Sequence, residues 1–381
     1  MSTLMKRRLR TGFTTGTAAA AASKAALRLI VEGKKPARVQ VRLLTGDNIT
    51  IPIHVGHLEQ EGRATCTVIK DAGDDPDVTH NAEIGATVML LKSDSDKNTD
   101  TPNRILISGG EGVGRVTKPG LEVVPGEPAI NPGPRKMITQ AVNEVLTEHG
   151  LKRSVRVEIF VPQGKKIAEK TLNARLGILS GISILGTTGI VQPMSHDAFI
   201  ATIESALSVA AASGLKRAIL TTGRRSERFA QILWPKLAEE SFIQIGDFFK
   251  MSLESASKKG FEQITLAVFF GKAVKMAQGI PHTHAAKSKL TLDKLSEWAL
   301  QVTRDREFSQ GILSANTARH AFDIICQYYP EVIFYVGKQI VQSAKLFAGQ
   351  KVSIRSIVFD YNGKVVFDSQ KPKAGYTGNE D

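Results

Sequence analysis

Apolar and polar positions change their spacing twice along this chain. Near the start, the hydroxyls of Thr14, Thr15 and Thr17 lead into an alanine-rich run that Gly33 closes, which predicts a capped helix. Alternating segments follow at 37–44, 48–55 and 63–70. The link Thr45-Gly46-Asp47-Asn48 predicts a hairpin between the first two. Segments 86–93 and 103–110 extend the strand-rich part on either side of the polar run SDSDKNTD. Residues 134–150 have Pro early and Gly last, the asymmetry of a helix, and 154–162 read as another strand. This half is predicted to be α+β.

From about residue 165 the rhythm is different. Segment 165–177 reads as helix, 181–186 as a short apolar strand and 195–214 as helix. Strands at 216–223, 241–247 and 262–270 then alternate with helices at 225–240 and up to Gly260. This order predicts a parallel sheet with crossover connections. Segments 289–304 and 311–347 read as helical. Residues 351–370 read as a hairpin turning at Asn362-Gly363 in a type I′ turn, with strands free to return to the first domain's sheet. The last ten residues are expected to be disordered. The domains expected are 1–164, 165–348 and 349–381. The fold class is thus α+β followed by a Rossmann-like α/β domain with a mostly parallel sheet and a C-terminal β-hairpin.

Composition narrows the picture. The chain has 381 residues, 42% of them hydrophobic, enough for two cores. No apolar run is long enough for a spanning helix, and the basic start lacks the apolar core of a secretory signal. Cys66 and Cys326 stand far apart in no metal-ligand spacing, as expected of a reduced cytoplasmic chain. The net charge of +13 points to an anionic partner. Aromatics make up only 6% and the basic residues are scattered, which favours an acidic small molecule over nucleic acid. A homo-oligomer stays open.

Candidate chemistry is spread over glycine-punctuated segments. ISILGTTGIV (182–191) runs into Gly186-Thr187-Thr188-Gly189, where small residues let a ligand reach backbone N–H groups, or simply make a tight turn. In LTTGRRSERF, Arg224, Arg225 and Arg228 crowd a predicted helix start. Positive charge is unfavourable there unless an anion sits between; the alternative is a solvated basic face with Glu227 as partner and Ser226 as N-cap. Asp71, Asp74, Asp75, Asp77 and His80 cluster within ten residues. They could bind metal, grip ligand hydroxyls, act as general base or shape a surface turn. His282 and His284 form H-x-H and point to one face if extended. GGEGVGRVTKPG, with Arg115 and Lys118, reads as a lid, an anion cradle or a mobile hairpin. TGFTTGT before the alanine-rich helix has the make-up of a phosphate loop or of a plain capped helix.

Taken in order, TGFTTGT, DAGDDPDVTH, GGEGVGRVTKPGL, GEPAIN, ILGTTGIVQPMS, TTGRRSER and HTH resemble the cobalt-precorrin-5B C1-methyltransferase family, from about Arg10 to about Leu290. Ala18 stands where the family often has Cys, so a nucleophilic cysteine there is not expected to be essential. The resemblance implies S-adenosylmethionine as methyl donor and a polycarboxylate cobalt tetrapyrrole as acceptor, methylated at ring carbon C1 for cobalamin biosynthesis. Cobalt belongs to the substrate, with no protein metal site. In-line transfer from a sulfonium needs alignment and water exclusion more than a covalent nucleophile. On this reading Gly186, Thr187, Thr188, Gly189 and Asp247 hold the donor in the second domain. Arg115, Lys118, Arg224 and Arg225 meet substrate carboxylates in a cleft between domains, and Asp75, His282 and His284 handle polar contacts or the proton balance. No membrane or nucleic-acid partner is implied. The rival readings are an ATP-dependent small-molecule kinase using the loop at 11–17, and a non-enzymatic tetrapyrrole carrier or RNA-binding protein.

Overall fold

Seven alanines let the helix α1 (Thr15–Glu32) lie buried along most of its length, since a face without side-chain bulk can touch neighbours on several sides. Its ends form as the sequence implies: the Thr14 hydroxyl accepts from the Thr17 N–H, and Gly33 closes it at φ 65° with its N–H on the Leu29 carbonyl. The computed structural model describes residues 9–60, 62–91, 104–284 and 288–371. Two compact units emerge, Met1–His196 and Asp197–Asp381.

In the first unit, β1 (Gly12–Phe13) precedes α1, and β2 (Arg38–Arg42) and β3 (Asn48–Pro52) form the expected hairpin. The main sheet contains β4 (Gly56–Gln60), β5 (Arg63–Ile69), β6 (Glu83–Leu90), β7 (Ile105–Gly109) and β9 (Val155–Phe160), in the order β4-β5-β6-β9-β7. Its pairs are antiparallel except β7 with β9. Helices α1 and α2 (Pro132–Glu148) share its core, which includes Val68, Ile84, Val88, Ile138, Val142 and Val157. Short strands β8 (Arg115–Val116) with β10 (Ile178–Leu179), and β1 with β11 (Ile190–Val191), complete the unit. The polar β4, GHLEQ, gives no strand signal in the sequence.

The second unit contains β12 (Arg217–Thr221), β13 (Phe242–Gln244), β14 (Gln263–Phe269), β15 (Ser353–Phe359) and β16 (Val365–Asp368). Their order is β13-β12-β14-β15-β16, parallel except for β16. Counted within the unit this is the doubly wound order 2-1-3-4-5, with its switch point between β12 and β14. β12 alternates its buried residues between two cores, Ile219 on one face and Ala218 and Leu220 on the other. The helices are α4 (His196–Ala212), α5 (Arg224–Leu233), α6 (Phe249–Lys258), α7 (Phe270–Ala277), α8 (Ser288–Thr303), α9 (Arg306–Leu313), α10 (Ala318–Tyr328) and α11 (Glu331–Ala348). Among the described residues no helix is long and apolar enough to cross a membrane.

Six expectations change. The units divide after His196, not at residue 165, because β10 and β11 pair with strands of the first unit. Only α3 (Gly164–Ala168) forms in 165–177: the Thr171 hydroxyl turns back to the Ala168 carbonyl and the Asn173 amide binds the Gly181 carbonyl, so local side-chain bonds compete with the helix. Segment 181–186 makes only isolated bridges, Ile182 with Val113 and Ile184 with Ile130. The C-terminal hairpin joins the second sheet, with β15 paired to β14 from Ser353 to Phe359; its run of buried residues needs cover on both faces. Its turn is not type I′. The Gly363 N–H bonds the Asp360 carbonyl, only Gly363 has positive φ (94°), and the Asp360 carboxylate accepts from the Asn362 and Lys364 N–H groups. The long helix expected over 311–347 is divided by the Thr317 cap and by Pro330. The run SDSDKNTD and the last ten residues lie outside the described residues.

Candidate functional site

The Gly/Thr loop and the GTTG turn are one structure. The Thr14 N–H and Thr17 hydroxyl both donate to the Gly189 carbonyl, at 3.0 and 2.7 Å. The Gly16 N–H donates to the Leu185 carbonyl at 3.1 Å, and the Leu185 N–H to the Thr15 hydroxyl at 2.9 Å. A Cβ at Gly186 would collide with the Thr14 side chain. The Gly16 N–H and the Thr17 N–H and hydroxyl are therefore spent on the chain's own oxygens, and a phosphate would find them occupied. Gly186, Thr187, Thr188 and Gly189 also belong to the first unit, whereas Asp247 belongs to the second. The sequence reading put all five in one domain; the pairing of β11 with β1 is what separates them.

The acidic cluster is occupied by partners within its own unit. Asp71 pairs with Arg10, whose N–H also bonds Asp74 at 2.7 Å. Asp75 accepts from the Met194 N–H at 3.0 Å. Asp77 pairs at 2.7 Å with the buried Lys70 and accepts from the Thr79 hydroxyl and N–H. His80 Nδ1 accepts from the Ala72 N–H. Among the described residues no group of three His, Cys, Asp or Glu is placed to hold a metal ion. The segment Gly109–Gly120 is pinned: the Gly114 N–H bonds the Ile182 carbonyl at 2.8 Å, and the Ile182 N–H bonds Gly112 at 3.0 Å. Such packing does not suit a lid. Arg115 donates to the Gly126 carbonyl and braces its own loop, while Lys118 donates to the Arg175 carbonyl and ties the loop to segment 165–177; Arg115 stays exposed.

The second unit brings other residues together beyond the carboxyl ends of its parallel strands. β12 leads through Thr222-Gly223 into α5. Gly223 is the cap, and Ser226 instead accepts from the Thr222 N–H and donates to the Gly223 carbonyl. Glu227 is buried and accepts from Gln244 at 2.7 Å. Arg225 donates to the Tyr361 carbonyl and lies over the Phe269 ring, 5.0 Å from its centroid; Phe269 in turn stacks on Tyr361. Arg224 is exposed.

β13 leads to Asp247, and here H-x-H arrives. The Thr283 N–H bonds the Asp247 carbonyl at 2.9 Å and its hydroxyl bonds Asp247 Oδ1 at 3.0 Å. Lys272, on α7 just past β14, donates to the same Asp247 oxygen and to the Thr283 carbonyl at 3.1 Å. Lys275 donates to the Thr283 and His284 carbonyls. His282 lies edge-on to Phe248, 4.8 Å between centroids, and 6.3 Å from the His284 ring. Burial pushes the Asp247 carboxyl up, but bonds from Lys272 and Thr283 and the charge near it outweigh this and hold it below the usual carboxylate range. Lys275 is held below the ordinary lysine value, by burial first and then by the Lys272 charge.

Of the residues singled out from the sequence, the structure thus joins Asp247, His282 and His284 in one cluster. Lys272 and Lys275 were not among them. Their spacing of three on one helix face, ending a few residues before H-x-H, is the signal that points to them.

Residues 2–193 match the family model described as CbiD, and 282–370 the model described as CbiD, C-terminal domain. The chain is 44% identical over 365 residues to a protein of Nitratidesulfovibrio vulgaris named cobalt-precorrin-5B C(1)-methyltransferase, covering 93% of this chain and 91% of that one. A protein of the same name from Geobacillus thermodenitrificans is 40% identical over 380 residues, 99% of this chain and 97% of that one. A crystal structure of a cobalamin biosynthesis protein (CbiD) from Archaeoglobus fulgidus is similar at 28% identity and a TM-score of 0.37, covering 69% of this chain and 78% of that chain. With both models matched in order and relatives aligned over more than nine-tenths of its length, the chain belongs to the CbiD family.

Proposed function

We propose that this chain is an S-adenosylmethionine-dependent methyltransferase that methylates ring carbon C1 of cobalt-precorrin-5B in cobalamin biosynthesis. The observation that carries this reading is the near full-length similarity, at 40% identity and above, to proteins of that name. On this reading the protein acts in the cytoplasm, and its partner is a polycarboxylate cobalt tetrapyrrole.

The donor is assigned to the switch point between β12 and β14, because parallel sheets hold ligands beyond the carboxyl ends of diverging strands. Gly223 leaves open space where a Cβ would stand, so the Thr222-Gly223 backbone can be approached closely. Asp247 remains in this site; Gly186–Gly189 do not, since they seat α1 of the first unit. When bound, the donor supplies an electrophilic methyl group on a sulfonium. The chain's part is to orient both reactants and exclude water. The exposed Arg224 guanidinium is suited to a substrate carboxylate. His282 and His284 are placed to bind a polar substituent or take a proton. Asp75 holds the Met194 backbone, and we assign it no chemical step.

Anaerobic incubation of the purified protein with cobalt-precorrin-5B and methyl-labelled S-adenosylmethionine tests the reading. One labelled methyl per macrocycle, with stoichiometric S-adenosylhomocysteine, is expected. No transfer, together with saturable binding of ATP and magnesium, would favour the kinase.

A further inference from the structure

Two ammonium groups stand near a single carboxylate at the ends of β13 and β14, and only one of them pairs with it. Lys272 has Asp247 as its counter-charge. Lys275, one turn along α7, donates to the carbonyls of Thr283 at 3.3 Å and His284 at 3.1 Å. Among the described residues no carboxylate lies within 4.0 Å of its Nζ. Carbonyls solvate an ammonium without neutralising it. Two lysines against one aspartate leave one positive charge in excess, before either imidazole is considered.

The segment that carries this excess is rigid. Thr283 is fully buried and held by Asp247 through both its N–H and its hydroxyl, while the Lys250 N–H holds the Pro281 carbonyl at 3.1 Å. Burial and the Lys272 charge both act against the charged form of Lys275, and an anion set against it relieves both. His284 is exposed beside it and offers a further donor.

We infer that Lys275, with His284 beside it, forms a carboxylate-binding subsite that takes a peripheral carboxylate of the acceptor. The inference rests on the substrate class proposed above. The same chemistry would suit the amino-acid carboxylate of the donor, so the test needs two ligands.

The variants Lys275→Met and Lys275→Arg are titrated with uroporphyrin, a polycarboxylate tetrapyrrole, and with S-adenosylhomocysteine. Lys216→Met, exposed at the amino end of β12 and so at the opposite end of the strands, controls for the loss of one charge. Melting curves of each variant establish folding, and Lys275→Arg keeps the test open if the Met variant does not fold. About tenfold weaker uroporphyrin binding is expected for Lys275→Met, for one lost charge-assisted bond. Lys275→Arg should retain most of the affinity, with Lys216→Met and S-adenosylhomocysteine binding unchanged. Unchanged uroporphyrin binding in Lys275→Met, or a loss matched by Lys216→Met, overturns the subsite. A selective loss of S-adenosylhomocysteine binding overturns its assignment to the acceptor. Wild-type protein that binds S-adenosylhomocysteine but not uroporphyrin also sinks the subsite and leaves the methyltransferase reading standing. Lysine-dependent uroporphyrin binding without methyl transfer does the reverse.

Discussion

The Thr17 hydroxyl donates to the Gly189 carbonyl at 2.7 Å across 172 residues of chain. Two motifs that look like separate ligand loops in the sequence are thereby one joint at the start of α1. Thr17→Val removes the hydroxyl, while the carbonyl keeps its bond from the Thr14 N–H, so the cost should be about 1 kcal/mol. Gly189 has φ 97°, and a Cβ there would stand 2.7 Å from Leu43, so Gly189→Ala should cost about 2 kcal/mol or more. Urea midpoints of the two variants check the order; the reverse order would show that the turn is not seated on α1.

Lys70 is almost fully buried, and its charge is met by Asp77. Asp77→Asn leaves that ammonium uncompensated and should destabilise by about 3 kcal/mol at neutral pH. Burial pushes the Asp77 carboxyl up, but Lys70 and Thr79 more than reverse this, so its folded value lies below the unfolded one of about 3.9. The contribution of Asp77 is complete above that unfolded value and is lost as pH falls through the folded one. Denaturation curves of wild type and variant should therefore differ at pH 7 and converge in acid. A constant difference down to acid pH would exclude the ion pair as its source.

Arg224 and Arg225 are adjacent but differently employed. Arg225 holds the Tyr361 carbonyl and the Phe269 ring, and Arg225→Ala should lower the melting temperature. Arg224→Ala should leave melting unchanged and weaken uroporphyrin binding severalfold. Equal effects of the two on both measurements would refute the division.

Burial pushes the Cys66 and Cys326 thiols each up to about 11, so neither is a thiolate at neutral pH. Iodoacetamide at pH 7 should label the folded protein slowly and the unfolded protein fast, and methyl transfer should survive the treatment. As pH rises, the half-buried Cys326 should react before Cys66, which has no exposed surface. Rapid inactivation at neutral pH would contradict this.

Much of the fold is legible in the sequence. Thr14 and Gly33 bound α1 as capping chemistry requires, and the period of 37–55 yields the β2–β3 hairpin with Arg42 opposite Asn48. The parallel order of the second unit follows from alternating strands and helices. The site was legible in part. Asp247, His282 and His284 carry chemistry that the sequence marks, but the reading placed Asp247 with a turn of the other unit. Lys272 was missed because its role comes from the arrival of Thr283, eleven residues on, through a loop whose path no local pattern encodes.

What the sequence determined by itself is what neighbours along the chain decide: caps, periods, turn residues, net charge, and the order of motifs that identifies the family. The tertiary structure alone decided which polar groups were already satisfied. The donors of α1 meet Leu185 and Gly189, the aspartates of 71–77 meet Arg10, Lys70 and Met194, and the excess charge gathers at Lys275. A polar group buried in a fold must find a partner wherever packing brings one, and that partner's position in the sequence is unconstrained by the local backbone.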